Sequence, residues 1–564
     1  MSEMKQDHMD KSIVCAHSTG KQRTEPLQQS DLSAIKKNKQ YIWSKNWLRW
    51  RHGAAATERG CSVREKIAEV SAYVDYQLPS LSKLVKDSGV YALSSIVVPF
   101  ISLVLAPFLT HHLSSSDYGI LTLLNTAISL VAGITQLGLG SAFLRLYNYD
   151  YAVSSDKRDV IVTSVLLLMG ISLLVAGGIA GIAPFLAHAL LGHPSLSQLI
   201  ILGGIVVLVQ NLTIPGLAWL RAESRASFYS LLSIGNLLIT LVANLFLIGV
   251  LHRGIDGSLI ATGCGYACIV VCTLPLLLLR TGIRIRLDIA RGLLAFGAPL
   301  VLNFVAYWIL QLSDRYLLSH FSSFAETARY TVAYNLGSAL MVVVITPFTL
   351  AWPTAMFTIA KHEHATRVFQ VLFRWLNAFL LLSAFCLSII ATLLLNWLFP
   401  PLYRSAAPVI PMVAMSCVFF GLYYVFNIGI NIQRKTWMLG VFTTISSIVN
   451  LLLNLILIPC YGAQGAALST LVAYMVLSLL AYVVNQRIYP IAFELGRFGI
   501  ASLIGCTLYV GSSFLAQHQG IYVALGIYAG SLIVYSGLFV ILGKGGAIFR
   551  IKAPLTREAV QAEG

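Results

Sequence analysis

The sequence predicts an all-α polytopic membrane protein of about 14 transmembrane helices, arranged as two pseudo-symmetric six-helix lobes plus two C-terminal helices. Its 564 residues are 57% hydrophobic and only 11% charged, with a mean hydropathy of +0.76. Soluble domains carry roughly 25% charged residues. Apolar runs long enough to cross a bilayer, about 20 residues each, recur from Val90 to Leu542. Two phrases also read nearly alike 208 residues apart: GIDGSLIAT (Gly254–Thr262) and GAQGAALST (Gly462–Thr470).

Cutting the chain at charged and Gly/Pro-rich breaks gives spans near 90–110, 118–142, 159–186, 197–220, 227–250 and 258–279 for the first lobe. The second lobe takes 293–313, 329–352, 370–398, 407–431, 437–458 and 464–485, and spans 498–515 and 521–542 follow. The runs are too long, and alternate too little, for a β-barrel. Domain boundaries follow: a basic tail over 1–87, a first lobe over 88–280, a basic linker over 281–292, a second lobe over 293–486, two further helices over 487–543 and a tail over 544–564. The first apolar run lies too far from Met1 for a cleavable signal. Within the tail, YIWSKNWLRWRH (Tyr41–His52) interleaves Trp43, Trp47 and Trp50 with basic residues. That pattern suits an interfacial segment, and equally an unselected extension.

Fourteen spans sort the basic residues. Of 39 Lys and Arg, only Arg253, Arg315, Arg329 and Arg404 fall on the face opposite both termini. By the positive-inside rule both termini are cytoplasmic. The net charge of +16 then reflects that bias and contact with anionic lipid, not nucleic-acid binding. The opposite-side loops are short, leaving no domain there to carry chemistry.

The repeated phrase fixes the architecture. Asn244 and Asn454 are 210 residues apart, as are Arg225 and Lys435. A six-helix shift is even, so both copies run in the same direction and the repeat is parallel. Gly254, Ser258 and Thr262 share one helix face, as do Gly462, Ala466 and Thr470. Small residues at that spacing let helices approach closely, so the phrase reads as packing.

Polar groups inside spans face protein or water. Helix 7 carries Asn303, Tyr307, Gln311 and Asp314 within roughly 80° of arc. Thr331, Asn335 and Ser338 on helix 8, and Tyr423, Asn427 and Asn431 on helix 10, form two further stripes. Interhelical bonding explains any one of them. Three neutral, amide- and ring-rich stripes in one lobe suit a sugar-binding cavity. Arg145, at the cytoplasmic end of helix 2, is either a snorkelling residue or a phosphate-binding guanidinium. Asp314 and Arg315 are candidates for a gate ion pair near the outer surface. No Asp, Glu or Lys lies near the middle of any span, and there is no phosphate-binding Gly-rich loop, triad or paired-carboxylate motif. Cys264, Cys268 and Cys272 lack His or carboxylate neighbours, and His362–His364 lacks zincin spacing, so no metal or cofactor is expected.

Three segments resemble a known family: LSSSDYGILTLLNTAISLVAGITQLGLGSAFLRLY (Leu113–Tyr147), ILQLSDRYLLSHF with ARYTVAYNLGSAL (Ile309–Leu340), and AAPVIPMVAMSCVFFGLYYVFNIGINIQRKT (Ala406–Thr436). They are similar to the polysaccharide-transport (O-antigen repeat-unit) flippases of the multidrug/oligosaccharidyl-lipid/polysaccharide exporter superfamily. The resemblance covers roughly Lys86–Leu542. It implies a transporter, not an enzyme, in the bacterial inner membrane, which moves polyprenyl-diphosphate-linked oligosaccharide between leaflets by rocking two lobes. On that implication Arg145 takes the diphosphate and the three stripes take the glycan. Membrane lipids, and the polymerase and chain-length machinery of surface polysaccharide, would be its partners. The first lobe's spans lack a carboxylate, which leaves cation coupling open. The alternatives are a drug/cation antiporter of the same superfamily, which would want that acid, and a membrane polymerase or glycosyltransferase, which would want a large acidic loop.

Overall fold

The computed structural model describes residues 104–151, 154–281, 285–361, 364–516, 519 and 521–544. The tail over 1–87 with its segment 41–52, most of the span expected at 90–110, His362 and Glu363, and the C-terminal tail from 545 onward lie outside the described residues. Every regular element among the described residues is helical.

The first lobe holds a helical stretch over 104–112, then α1 (Ser115–Thr135), α2 (Leu139–Arg145), α3 (Ser154–Gly181) and α4 (Ala183–Leu191). It continues with α5 (Ser197–Ala222), α6 (Ala226–Asn244) and α7 (Gly254–Thr281). The second lobe holds α8 (Leu287–Phe321), α9 (Phe324–Gly337), α10 (Thr346–Ile359), α11 (Ala365–Leu398), α12 (Val409–Phe426), α13 (Ile428–Ile432) and α14 (Trp437–Ile488). Finally, α15 (Leu495–Ala516) and α16 (Ile521–Lys544) pack on α11 through Phe385, Ile389, Tyr528 and Tyr535. Eleven of the described helical stretches are long and apolar enough to cross a membrane. The chain is a multi-pass membrane protein.

One of the eleven, α14, has 52 residues. At about 1.5 Å per residue it would measure ~78 Å, more than twice the ~30 Å hydrocarbon core. It is two spans joined at Gly462, where the backbone turns to φ 54°, ψ −129°. Only glycine adopts that region without strain. Gly462→Ala is therefore expected to lower stability by about 1–3 kcal/mol, seen as a fall in the thermal unfolding temperature in detergent; an unchanged temperature would contradict this backbone account.

The repeat recurs in local geometry. Gly254, the counterpart of Gly462, also has positive φ, +61°. Ser224 and Arg434, 210 residues apart, are non-glycine residues at φ 54° and 58° in matching turns. In those turns Arg225 N donates to Leu220 O and Lys435 N to Ile430 O, both at 2.9 Å. Asn244 and Asn454 are both fully buried, and each amide reaches back four residues, to Thr240 O at 2.7 Å and to Asn450 Oδ1 at 3.0 Å. Thr262 and Thr470 likewise donate to Ser258 O and Ala466 O. Such back-bonding satisfies hydroxyls where no water reaches.

The two lobes meet unevenly. At the end where α1 and α9 begin, which is sparsely charged, a single hydrophobic core contains Tyr118, Leu121 and Leu124 of α1 together with Leu318, Tyr330 and Leu336 of α8 and α9. At the opposite, basic end the cores are separate. One is built around Phe143, Leu220 and Leu277, with Ile289 and Leu293 of α8 added; the other around Phe369, Phe373 and Phe426. Helix α8 thus spans both lobes. Its start is tied to the first lobe by Arg286, which meets Asp156 at 2.9 Å, Asp159 at 3.5 Å and Asp288 at 2.6 Å. These bonds, led by that to Asp288, hold the Arg286 guanidinium above its ordinary pKa.

Candidate functional site

Helix α8 is the wall of the seam. Along it, Trp308 Nε1 donates to Ser129 Oγ of α1 at 2.9 Å. Lower down, Gly297 meets the α1–α2 break so closely that a Cβ there would lie 2.1 Å from Leu137 O. The break itself needs glycine at Gly138, where φ is +64°.

On its other side α8 presents the expected stripe. Asn303 is exposed and Tyr307 is 38% exposed, although both lie near the middle of a 35-residue helix. Exposed amides at that depth must face water, because hydrocarbon offers them no partner. Gln311, one turn further, is held by two phenols: its Nε2 donates to Tyr307 Oη and to Tyr474 Oη, each at 2.8 Å. The Tyr307 ring lies 6.4 Å from that of Phe420 on α12. Asn335 of α9 is also exposed, and Ser338 beside it is half-buried and donates to Asn335 O. The structure thus groups Asn303, Tyr307 and Gln311 with Tyr474 and Phe420, and leaves Asn335 exposed.

Other stripe residues are turned inward. Thr331 is buried and its hydroxyl donates to Thr327 O at 2.8 Å. Tyr423 and Asn427 are buried, and Asn431 Nδ2 is committed to Asn427 Oδ1 at 2.8 Å. The bonds of Thr331 and Asn431 are local ones, four residues back along the second lobe's own chain.

Arg145 ends α2 at the basic end, half exposed. Its guanidinium lies 4.7 Å from the centroid of the Phe296 ring on α8, with Asp150 Oδ2 3.6 Å from Nε. Phe296 precedes Asn303 by seven residues, ~10 Å along the helix. The arginine therefore stands at the basic-end mouth of the strip that carries Asn303, Tyr307 and Gln311.

At the other end of the seam, Asp314 and Arg315 are both buried, 2% and 4% exposed, with Arg315 Nη1 3.6 Å from Asp314 Oδ1. Tyr330 donates to Asp314 Oδ2. The Arg315 guanidinium lies over the Tyr334 ring at 4.8 Å and donates to Gln311 O at 3.1 Å. Tyr118 of α1 and Tyr403 of the second lobe stand edge to face across the seam, 6.5 Å apart. The pair is thus walled by tyrosines where the lobes join. Among the described residues, no three His, Cys, Asp or Glu side chains converge to hold a metal ion.

Two contributors escape sequence reading. Tyr474 lies in an apolar run on α14 and shows its role only through Gln311. Asn125, ten residues into α1, is an exposed amide ~15 Å from the start of the helix. A mid-span Asn is the signal that could have flagged it.

Known proteins share the fold. Residues 84–360 match the family of polysaccharide biosynthesis proteins. The lipid II flippase MurJ in its inward closed conformation superposes with a TM-score of 0.60 at 15% identity, covering 81% of this chain and 98% of that one. A point mutant of the Vibrio cholerae MATE transporter VcmN gives 0.51 at 16% identity, with 72% and 96% covered. The fold is shared with MurJ and VcmN. The family match supports the resemblance, and it contains Leu113–Tyr147 and Ile309–Leu340. Among curated proteins, a membrane protein of Methanocaldococcus jannaschii is 26% identical over 194 residues, 33% of this chain; the match spans 38% of that relative's length.

Proposed function

We propose that the protein is a flippase that carries polyprenyl-diphosphate-linked oligosaccharide repeat units across the bacterial inner membrane for surface polysaccharide such as lipopolysaccharide or exopolysaccharide. The observation that carries this reading is the exposed strip of Asn303, Tyr307 and Asn335 at mid-depth, between lobes that, α8 apart, share a core at one end only. Taking the basic end and both termini as cytoplasmic, the protein faces inward. The glycan enters between the lobes, amides bond its hydroxyls and the Tyr307 and Phe420 rings cover apolar sugar faces. Arg145 at the mouth holds the diphosphate by charge-assisted hydrogen bonds, and the lipid tail stays in the bilayer. Asp314 and Arg315 form the closed gate. The sugar-polymerising and chain-length machinery then receives the unit on the far side. The family match and the lipid II flippase fold support this choice of substrate class.

A charge-assisted bond of about 1.5–3 kcal/mol corresponds to roughly 10–100-fold. Arg145→Ala is therefore expected to slow translocation by about that factor, with lipid-linked units accumulating on the cytoplasmic leaflet and the protein retained in the membrane. Asp150→Asn, which removes the arginine's carboxylate partner, is expected to keep transport. Wild-type transport by Arg145→Ala would refute the assignment.

A further inference from the structure

A second cavity, of about 290 Å³, opens in the first lobe alone. Small-molecule sites begin near 300 Å³, so this one has room for a headgroup. None of its lining residues comes from α8–α16. Arg158 of α3 and Arg225 of the α5–α6 turn bring two guanidinium groups, Glu223 brings a carboxylate, and Trp219, Leu276 and Leu277 supply apolar wall.

The polar groups are fixed in place. Ser224 at φ 54° sets the turn, with Glu223 N bonded to Trp219 O and Arg225 N to Leu220 O, both at 2.9 Å. Tyr147 donates to Glu223 Oε1 at 2.5 Å. The Arg225 guanidinium rests over the Trp219 ring at 5.0 Å. Neither Arg158 nor Arg225 is ion-paired among the described residues. Arg145, Arg286, Arg374 and Arg497 are each matched to carboxylates.

The second lobe provides the contrast. Its matching turn, Gln433–Lys435, is covered by the protein's own chain: Gly429 N donates to Asn485 Oδ1 at 2.6 Å, and Gln433 Nε2 to Ile488 O at 3.1 Å. Ile491 and Phe493 are buried there, and Glu494 accepts from Arg374 of α11, the second-lobe counterpart of α3, and from Arg497. The second lobe supplies an anion to its own arginines, whereas Glu223 in the first lobe is engaged by Tyr147 and pairs with neither Arg158 nor Arg225.

We infer that the first-lobe cavity binds the headgroup of a zwitterionic amino-phospholipid from the leaflet at the basic end. The phosphodiester sits on Arg158 and Arg225, and the ammonium on Glu223. Basic pockets between helices at this face are where headgroups dock. The carboxylate beside the arginines offers a partner to a headgroup that carries its own cation. Leu276, 40% exposed, leads the acyl chains out toward lipid.

The test is native mass spectrometry of the purified full chain, titrated with phosphatidylethanolamine, phosphatidylglycerol or inorganic phosphate. The expected result is one retained phosphatidylethanolamine, at least about tenfold weaker retention in Arg158→Gln/Arg225→Gln, and loss of preference over phosphatidylglycerol in Glu223→Gln. Leu276→Trp, which fills the mouth, is expected to weaken retention without touching a charge, and it serves if the arginine variant does not fold. Undiminished retention in the arginine or Leu276 variant would overturn the inference. So would displacement by inorganic phosphate, which would make this a free-anion site, or a wild-type preference for phosphatidylglycerol.

Discussion

Gly119→Val is expected to reduce transport by about 100-fold or more while the protein stays folded in the membrane. Gly119 lies one turn into α1, where α1 meets the start of α9. A Cβ built on it would fall 1.9 Å from the carbonyl oxygen of Phe324 and 2.5 Å from its carbonyl carbon. Those atoms are backbone, so no rotamer change relieves the contact and the helices must part. Overpacking of this kind costs about 1–3 kcal/mol, sometimes more, and ~2.7 kcal/mol is ~100-fold in an equilibrium. The cost falls on the state in which the lobes share a core at the sparsely charged end. A population pushed out of that state cannot complete the cycle. Transport by reconstituted Gly119→Val at the wild-type rate would show that closure here is not needed.

Arg315→Met is expected to destabilise the protein by about 3–5 kcal/mol, the usual consequence of removing one partner of a buried pair. Asp314 would keep its bond from Tyr330 but lose the cation 3.6 Å from its other oxygen, which has no hydrogen-bond partner. Asp314→Asn combined with Arg315→Met is expected to recover most of the loss, because the uncompensated charge is gone. Thermal unfolding in detergent reads both. A single variant as stable as wild type would mean the pair contributes little to holding this end of the seam.

Much of the fold was legible in the sequence because lipid restricts the choices. Length and hydropathy pointed to the spans, and the 208–210-residue offsets among Asn244/Asn454, Arg225/Lys435 and Gly254/Gly462 pointed to a repeat. Those offsets now coincide with matched positive-φ turns and matched hydrogen bonds. The candidate site was only half legible. Helical periodicity says which residues share a face, as Asn303, Tyr307 and Gln311 do, but not what that face meets. Thr331 and Asn427 sit on polar stripes yet are turned into the lobe and bonded within it. Tyr474 was invisible because a phenol in an apolar run looks like packing until its Gln311 partner is known. Shared cores at one end, separate cores at the other, and the first-lobe cavity depend on contacts between distant spans, which no local pattern encodes.

The central claim is translocation of a lipid-linked glycan through the seam between the lobes. Its most direct test is purified protein reconstituted into vesicles that contain a fluorescent polyprenyl-diphosphate oligosaccharide in both leaflets, with exposure of the glycan followed by an impermeant glycan-cleaving enzyme added outside. Protein-containing vesicles are expected to expose the inner-leaflet pool with time, and Arg145→Ala vesicles to do so roughly 10–100-fold more slowly. An inner pool that stays protected, as in protein-free vesicles, would contradict the account.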